Sequence, residues 1–456
     1  RYPVLAHTLG FFVKFRLVTP ALRGFCVFAG VKIFRLNLCE LIPCKNVKKQ
    51  GALVELSIRR IKSSSGERFV VLVDSVGMPL FYPALYVTVH MRGRSLAVNT
   101  IQNTLNAIKA LYAWQSFYCI DIESRFSCCE LLQTHEVHSM RDFMQKPLVD
   151  KNNGKAVSIS RRDRTVSVRN QYARMSVIAD YLGFLAGQLQ KPSTQGNENI
   201  KRMVSQIKAN RPKKPTKSII DRDEKRLDDS DLDALEKALK PGSNNNPAHE
   251  YAVQVRNALI FSILRVTGLR RGELLNLKIE DIDFAKNTLK VVRRPDSTGD
   301  ARVYQPVVKT RERTFPLMPE LVDQVRGYVL GYRNKVPGAK KHGYLFVTHK
   351  SGTSEGLPFS NSGFGKFMGE LKHIVEGYCF IHAHSLRHHW NYSFSKTCEN
   401  QGMTPEREEK LRSYLMGWSE TSGTAATYNR RYIKEQAGKA VLELQNKHLG
   451  KVRKGM

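Results

Sequence analysis

Two stripes of apolar residues set the terms on which this chain can fold. Ile101, Leu105, Ile108 and Leu111 recur at steps of three and four, with Trp114 and Phe117 beyond them. Val168, Tyr172, Met175, Ile178, Leu182, Leu185 and Leu189 repeat that spacing over a longer run. This period places each set on one side of an α-helix, and a helix apolar on one side must bury that side against neighbours. Residues 95–209 are therefore predicted to be a small helical module, and the chain as a whole mainly α with a small β-sheet.

Around that module the texture changes. Phe69–Val73 and Leu85–Val89 are β-branched and aromatic runs flanking Gly77 and Pro79, which predicts a hairpin or small sheet within residues 56–94. Residues 1–55 have no acid before Glu40, and Lys14, Arg16 and Arg23 follow their apolar run Leu9–Val13. They read as an ill-ordered basic extension or as a targeting peptide, although the serines of a transit peptide are missing. The stretch Arg211-Pro212-Lys213-Lys214-Pro215-Thr216-Lys217 carries two prolines, which no helix interior accepts, so residues 210–227 are expected to be an extended basic linker. Asp228, Asp229 and Asp231 then place acids at the positive end of a new helix. A second, larger domain is expected over 228–445, with a basic tail at 446–456.

Charge narrows the partner. The 73 Lys and Arg oppose 41 Asp and Glu, a formal +32. A surface so positive repels itself unless a polyanion neutralises it, which favours nucleic acid over the alternatives of a ribosome-associated or membrane-surface protein. Arg161, Arg162, Arg164 and Arg169, together with Lys213 and Lys214, are the candidate phosphate contacts. The eight cysteines show no paired metal-ligand spacing, as expected of a reduced cytoplasmic protein, and no apolar run reaches the roughly 18 residues of a membrane span.

Four separated patches of the second domain carry chemistry. In Thr267-Gly268-Leu269-Arg270-Arg271-Gly272-Glu273-Leu274 a glycine breaks between two helices. Arg270 at a helix start is opposed by the helix dipole, so it calls for an anionic ligand or a carboxylate such as Glu273. Lys309 precedes the strand pattern that holds Phe315. In His384-Ser385-Leu386-Arg387-His388-His389 the positions three apart share a helix face, so His384 and Arg387 can meet one phosphate. A zinc site is the rival for this stretch, but no second ligand cluster accompanies it. Leu415-Met416-Gly417-Trp418 is followed by Thr427-Tyr428-Asn429-Arg430-Arg431-Tyr432.

Taken in order, Thr-Gly-Leu-Arg, a turn lysine, His-x-x-Arg, Leu-Met-Gly-Trp and a tyrosine resemble the signature of the tyrosine recombinase, or lambda-integrase-like, family. The resemblance covers most of residues 228–445 and implies a DNA breaking-rejoining catalytic domain preceded by a helical, SAM-like core-binding domain. It implies that Tyr428 attacks a DNA phosphate, that Arg270 and Arg387 hold its oxygens, that Lys309 protonates the leaving 5′-oxygen, and that His384 and Trp418 hydrogen-bond nearby, with Glu273 and His388 in support. Trp418 stands where most members have a second histidine, and Tyr428 lies ten residues beyond it, one more than the commonest spacing, which leaves Tyr432 as the other candidate nucleophile. The implied function is site-specific recombination for a mobile genetic element, with neither metal nor cofactor. The alternatives are a type IB topoisomerase, a hairpin resolvase, or an inactive DNA-binding relative. The implied partners are double-stranded DNA attachment sites, a homotetramer in the synaptic complex formed from free monomers, and accessory DNA-bending or directionality proteins. The implied setting is the bacterial cytoplasm, at the nucleoid.

Overall fold

The computed structural model describes residues 55–94, 96–147, 165–213, 227–374, 381–419 and 430–454, and these are mainly helical. The first element is a hairpin. Strand β1 (Ser57–Lys62) pairs antiparallel with β2 (Arg68–Val73), Ser57 opposite Val73 and Lys62 opposite Arg68. The expected second strand at Leu85–Val89 is instead helical: α1 (Phe81–Tyr86) runs on into a π-helical turn over Val87–Arg92. Pro83 is tolerated because it falls in the first turn, where its missing N–H has no helical acceptor. Val87 and Met91 are buried, and the Tyr86 ring packs 5.4 Å from Tyr181 and 5.1 Å from Phe184. Intrinsic strand preference spans only about 1 kcal/mol, whereas burying one such side chain contributes about 1.5–3 kcal/mol. Tertiary burial therefore overrides the β-branched run.

The predicted apolar stripes form α2 (Val98–Tyr118) and α5 (Val168–Leu189). Ile101, Leu105, Ile108, Leu111 and Trp114 are buried in the first, and Met175, Ile178, Leu182 and Leu185 in the second, while Phe117 and Val168 at the stripe ends are exposed. Short helices α3 (Ile122–Ser127) and α4 (Thr134–Phe143) and the longer α6 (Thr194–Ala209) complete the packing. Leu56, Val70 and Leu72 of the hairpin enter the same core, so hairpin and helices form one body. The extension expected over 1–55 lies outside the described residues except at Glu55.

A second core follows. Helix α7 (Asp229–Leu239) starts with Asp228 at its N-cap, the Asp228 N–H donating to Asp231 Oδ2 at 2.8 Å. Helix α8 (Tyr251–Thr267) leads to the short α9 (Arg271–Leu274) and a three-stranded antiparallel sheet ordered β3 (Ile282–Asp283), β4 (Thr288–Val291), β5 (Arg313–Pro316). Beyond it come α10 (Pro319–Gly331), α11 (Asn361–Glu370), α12 (Ala383–Asn400), α13 (Pro405–Met416) and α14 (Arg430–Lys454). The hairpin touches this half through Arg68, which is 2% exposed and donates to the carbonyls of Asp300 and Arg302 at 3.0 and 3.1 Å. Among the described residues no helix is long and apolar enough to cross a membrane.

Candidate active site

Two glycines shape the site. Gly268 ends α8 at φ +60°, and Gly417 ends α13 at φ +66°, both in the left-handed region that a side chain disfavours. Each is also a close approach. A Cβ on Gly268 would stand 3.0 Å from the Trp390 ring, and one on Gly417 would meet Thr310 Cβ at 2.8 Å and Arg311 O at 2.9 Å. The two helix ends are thereby pressed against α12 and against the segment that follows Lys309.

Arg387 is completely buried on α12 and donates from Nη1 to Gly268 O at 2.8 Å and from Nη2 to Met416 O at 3.3 Å. Its guanidinium carbon lies 5.3 Å from the Trp418 ring centroid, a cation–π contact. Arg270, about a third exposed, reaches the same Met416 carbonyl at 3.4 Å and Glu273 Oε1 at 3.3 Å. One carbonyl therefore fixes two guanidiniums. Both arginines line a cleft of about 400 Å³ with His384, His382, Arg271 and Lys372. His384 is exposed and stacks edge-on against the exposed His388, 4.5 Å between centroids, so the i,i+4 pair holds one imidazole against the other.

Lys309 is exposed and lines a second cleft, of about 440 Å³, with Thr310, Arg311, Arg293, Gly417 and Ser419. Gly417, which lines this cleft, directly follows Met416, whose carbonyl accepts from Arg270 and Arg387 in the other. Glu273, expected as Arg270's partner, is buried at 1% exposure and serves more groups than that. Its Oε2 accepts the Arg270 N–H at 2.9 Å, while Thr310 Oγ1 and Arg313 Nη2, the latter at 2.9 Å, bond to the same carboxylate. Burial alone would raise its pKa, but the Arg313 and Arg387 charges and the Thr310 hydroxyl outweigh that and hold it below the usual carboxylate range.

Not every expected residue is brought to these clefts. Arg169, near the start of α5, and Lys213 are exposed away from both of them, and Arg161, Arg162, Arg164, Lys214 and Tyr428 lie outside the described residues. The chain on either side of Tyr428 is nevertheless placed by the site. Ser419 lines the Lys309 cleft, and α14 is held on α12 by Tyr392 donating to Glu435 and by Gln436 donating to Glu399 at 3.0 Å. Sequence reasoning missed Arg313, Thr310 and the Met416 carbonyl. Alternation along β5 carries a signal for the first, because Arg313 shares the inward face with Phe315. Among the described residues no group of three or more His, Cys, Asp or Glu side chains is placed to hold a metal ion.

Two fixed guanidiniums and an imidazole lining one cleft suit a tetrahedral oxyanion such as a phosphodiester. Residues 225–435 match the model of the phage integrase family. The chain is 25% identical over 144 residues to tyrosine recombinase XerD of Halalkalibacterium halodurans, covering 32% of this chain and 42% of that protein. It is 34% identical over 104 residues to tyrosine recombinase XerA of Pyrococcus furiosus, covering 23% of this chain and 30% of that protein. It thus spans less than half the length of these curated relatives. A solved structure of the Tn1549 transposon integrase with transposon right end DNA aligns over 78% of this chain and 100% of its own, at 16% identity and a TM-score of 0.43. The similarity to the phage integrase family thus lies within residues 225–435, and the relatives matched are tyrosine recombinases.

Proposed function

We propose that this chain is a site-specific recombinase that cuts and rejoins DNA through Tyr428, in the service of a mobile genetic element. The observation that carries the reading is the Met416 carbonyl shared by Arg270 and Arg387, which aims two guanidiniums at one cleft. Tyr428 Oη attacks phosphorus, the bond from phosphorus to the 5′-oxygen breaks, and Lys309 gives its proton to that oxygen. The nucleophile's own proton passes toward His384. The product is a 3′-phosphotyrosine and a free 5′-hydroxyl, and a phosphodiester-like bond is kept throughout, so no nucleotide hydrolysis drives the step. Arg270 and Arg387 hold the non-bridging oxygens; each fixed donor of this kind contributes roughly 10²–10³ in rate.

Tyr432 is a poorer nucleophile. Burial and the Glu399 carboxylate push its phenol up to about 12, further from ionisation than an ordinary tyrosine. On this reading residues 95–209 and the basic linker grip the duplex, with Arg169 and Lys213 exposed for phosphate contact. The substrate is a pair of attachment sites bridged by four copies of the chain. Exposed Ile433, Val441, Leu442 and Leu444 on α14 support a helix that reaches a neighbouring copy, and accessory DNA-bending proteins would set direction.

The test is a nicked suicide duplex carrying the candidate attachment site, run on a denaturing gel against Tyr428→Phe. A DNA-dependent shifted band that disappears in the variant is expected. Tight binding with no band from either protein would instead make the chain an inactive relative. Relaxation of supercoils at any sequence by a monomer would make it a topoisomerase.

A further inference from the structure

Arg313 stands where the motif patches meet, and none of the roles assigned above uses it. Its side chain is 1% exposed. From β5 it donates to Glu273 Oε2 at 2.9 Å and Oε1 at 3.4 Å, to Thr310 Oγ1 at 3.0 Å, to Arg311 O at 3.4 Å, and through Nε to Leu415 O. One guanidinium thus reaches the α9 turn that carries Arg270's partner, both residues that follow Lys309, and the end of α13. A buried ion pair is weak evidence for a stability role, since packed apolar residues often do as well or better. What distinguishes this one is where its donors point.

We infer that Arg313 is a positioning residue that holds Lys309 at the scissile phosphate, acting through Thr310, Arg311 and Glu273. The inference rests on the recombinase reading of the same site. Lys309 is bracketed on both sides. Val308 is buried in the second core, Thr310 Oγ1 donates to Glu273, and the Arg311 N–H donates to Gly417 O at 3.1 Å. Lys309 itself is exposed, with a long, rotatable stem. Its backbone anchor sets the volume within which the ammonium can reach, and a misplacement of about 1 Å in a reacting group can cost about 10²-fold in rate. Arg313 supplies that anchor by locking both C-terminal neighbours of Lys309 to the carboxylate under Arg270.

The experiment uses the full chain and a duplex that the wild-type protein cleaves, made in two forms. One has the natural oxygen at the 5′ leaving position and the other has sulfur there. When P–O5′ breaks, the oxygen must take a proton from Lys309. A thiol has a pKa near 8.5, so the sulfur leaves as thiolate and needs no acid. Arg313→Met is expected to slow single-turnover cleavage of the oxygen duplex on the order of 10²-fold, within what a general acid contributes, and the sulfur duplex is expected to restore most of that loss. Thr310→Val, which keeps the buried ion pair, shows the same pattern with a smaller amplitude and carries the test if Arg313→Met unfolds early. Wild-type rates in both variants, or equal slowing on both duplexes, would overturn the inference and leave the recombinase reading standing. Failure of the wild-type protein to form an adduct on any duplex would remove that reading, and the inference with it.

Discussion

The two cores of this chain are made of different materials. Between the hairpin and α6 the interior is mainly apolar, built around Trp114, Leu105, Ile178 and Leu182, and Arg68 on the hairpin is its one buried arginine among the described residues. From α7 onward, buried arginines are threaded through the apolar residues: Arg256, Arg302, Arg313, Arg333, Arg387 and Arg412. A buried guanidinium is costly unless its donors are met, and here main-chain carbonyls meet many of them. Arg333 bonds to the carbonyls of Tyr344, Ala339 and His342 at 2.8, 3.0 and 2.7 Å, and Arg302 to those of Leu275 and Phe359 at 2.9 and 2.8 Å. Most of these carbonyls lie in connections between the α-helices and the three short strands, Ala339 opening a single 3-10 turn, where no long ladder would otherwise satisfy them. The first core is thus a scaffold made by burial. The second uses arginines as staples that give irregular segments a fixed geometry, and the site is assembled from those segments.

If that contrast is right, the largest effect should come from cutting a staple. Arg412 is fully buried; it pairs with Glu408 and bonds to Asn391 O at 2.8 Å and Ser395 Oγ at 2.7 Å, on the helix that carries His384 and Arg387. Arg412→Met leaves Glu408 without its cation and is expected to cost about 3–5 kcal/mol, with cleavage per folded molecule falling as well. Denaturant titration and single-turnover kinetics read the two losses, and a stability loss near zero would remove the staple argument. In the first core, Leu182→Ala is expected to cost about 2–5 kcal/mol through the cavity it leaves, with cleavage per folded molecule unchanged. A comparable fall in cleavage there would mean that the scaffold and the site are not separable.

The smallest effect concerns pH. His349 sits against Tyr328 Oη at 3.1 Å, and burial, followed by the Arg256 charge, pushes its imidazole from 6.5 down to about 4. The unfolded chain takes up this proton at higher pH than the folded one, so the stability His349 contributes is complete above 6.5 and is lost as pH falls toward about 4. His349→Gln can still bond to Tyr328 and should flatten that part of the stability–pH curve. A curve unchanged by the substitution would assign the acid sensitivity elsewhere, with the buried Glu273 carboxylate, also held below its usual range, as the next group to replace.

The same contrast explains what the sequence made legible. Period 3.6 revealed α2 and α5 because apolar burial is what places them, and Gly268 and the acids at 228–231 marked helix ends by backbone and dipole chemistry. Leu85–Val89 misled because local preference pointed to a strand, while the core that claims Tyr86, Val87 and Met91 is assembled from residues far along the chain. The motif residues Arg270, His384 and Arg387 were legible from spacing and do line one cleft. The staples were not. In a chain with 73 Lys and Arg, a buried arginine such as Arg333 or Arg412 reads like any solvated one until the carbonyls it serves are known. Arg313 alone left a trace, on the inward face of β5.

The central claim concerns a single bond, and the most direct measurement looks for it. The covalent complex, trapped on suicide DNA, would be digested with nuclease and protease, and the nucleotide-bearing peptide fragmented in a mass spectrometer. The account predicts a nucleotide phosphate on the phenolic oxygen of Tyr428. The same mass on Tyr432, or on any other residue, would contradict it.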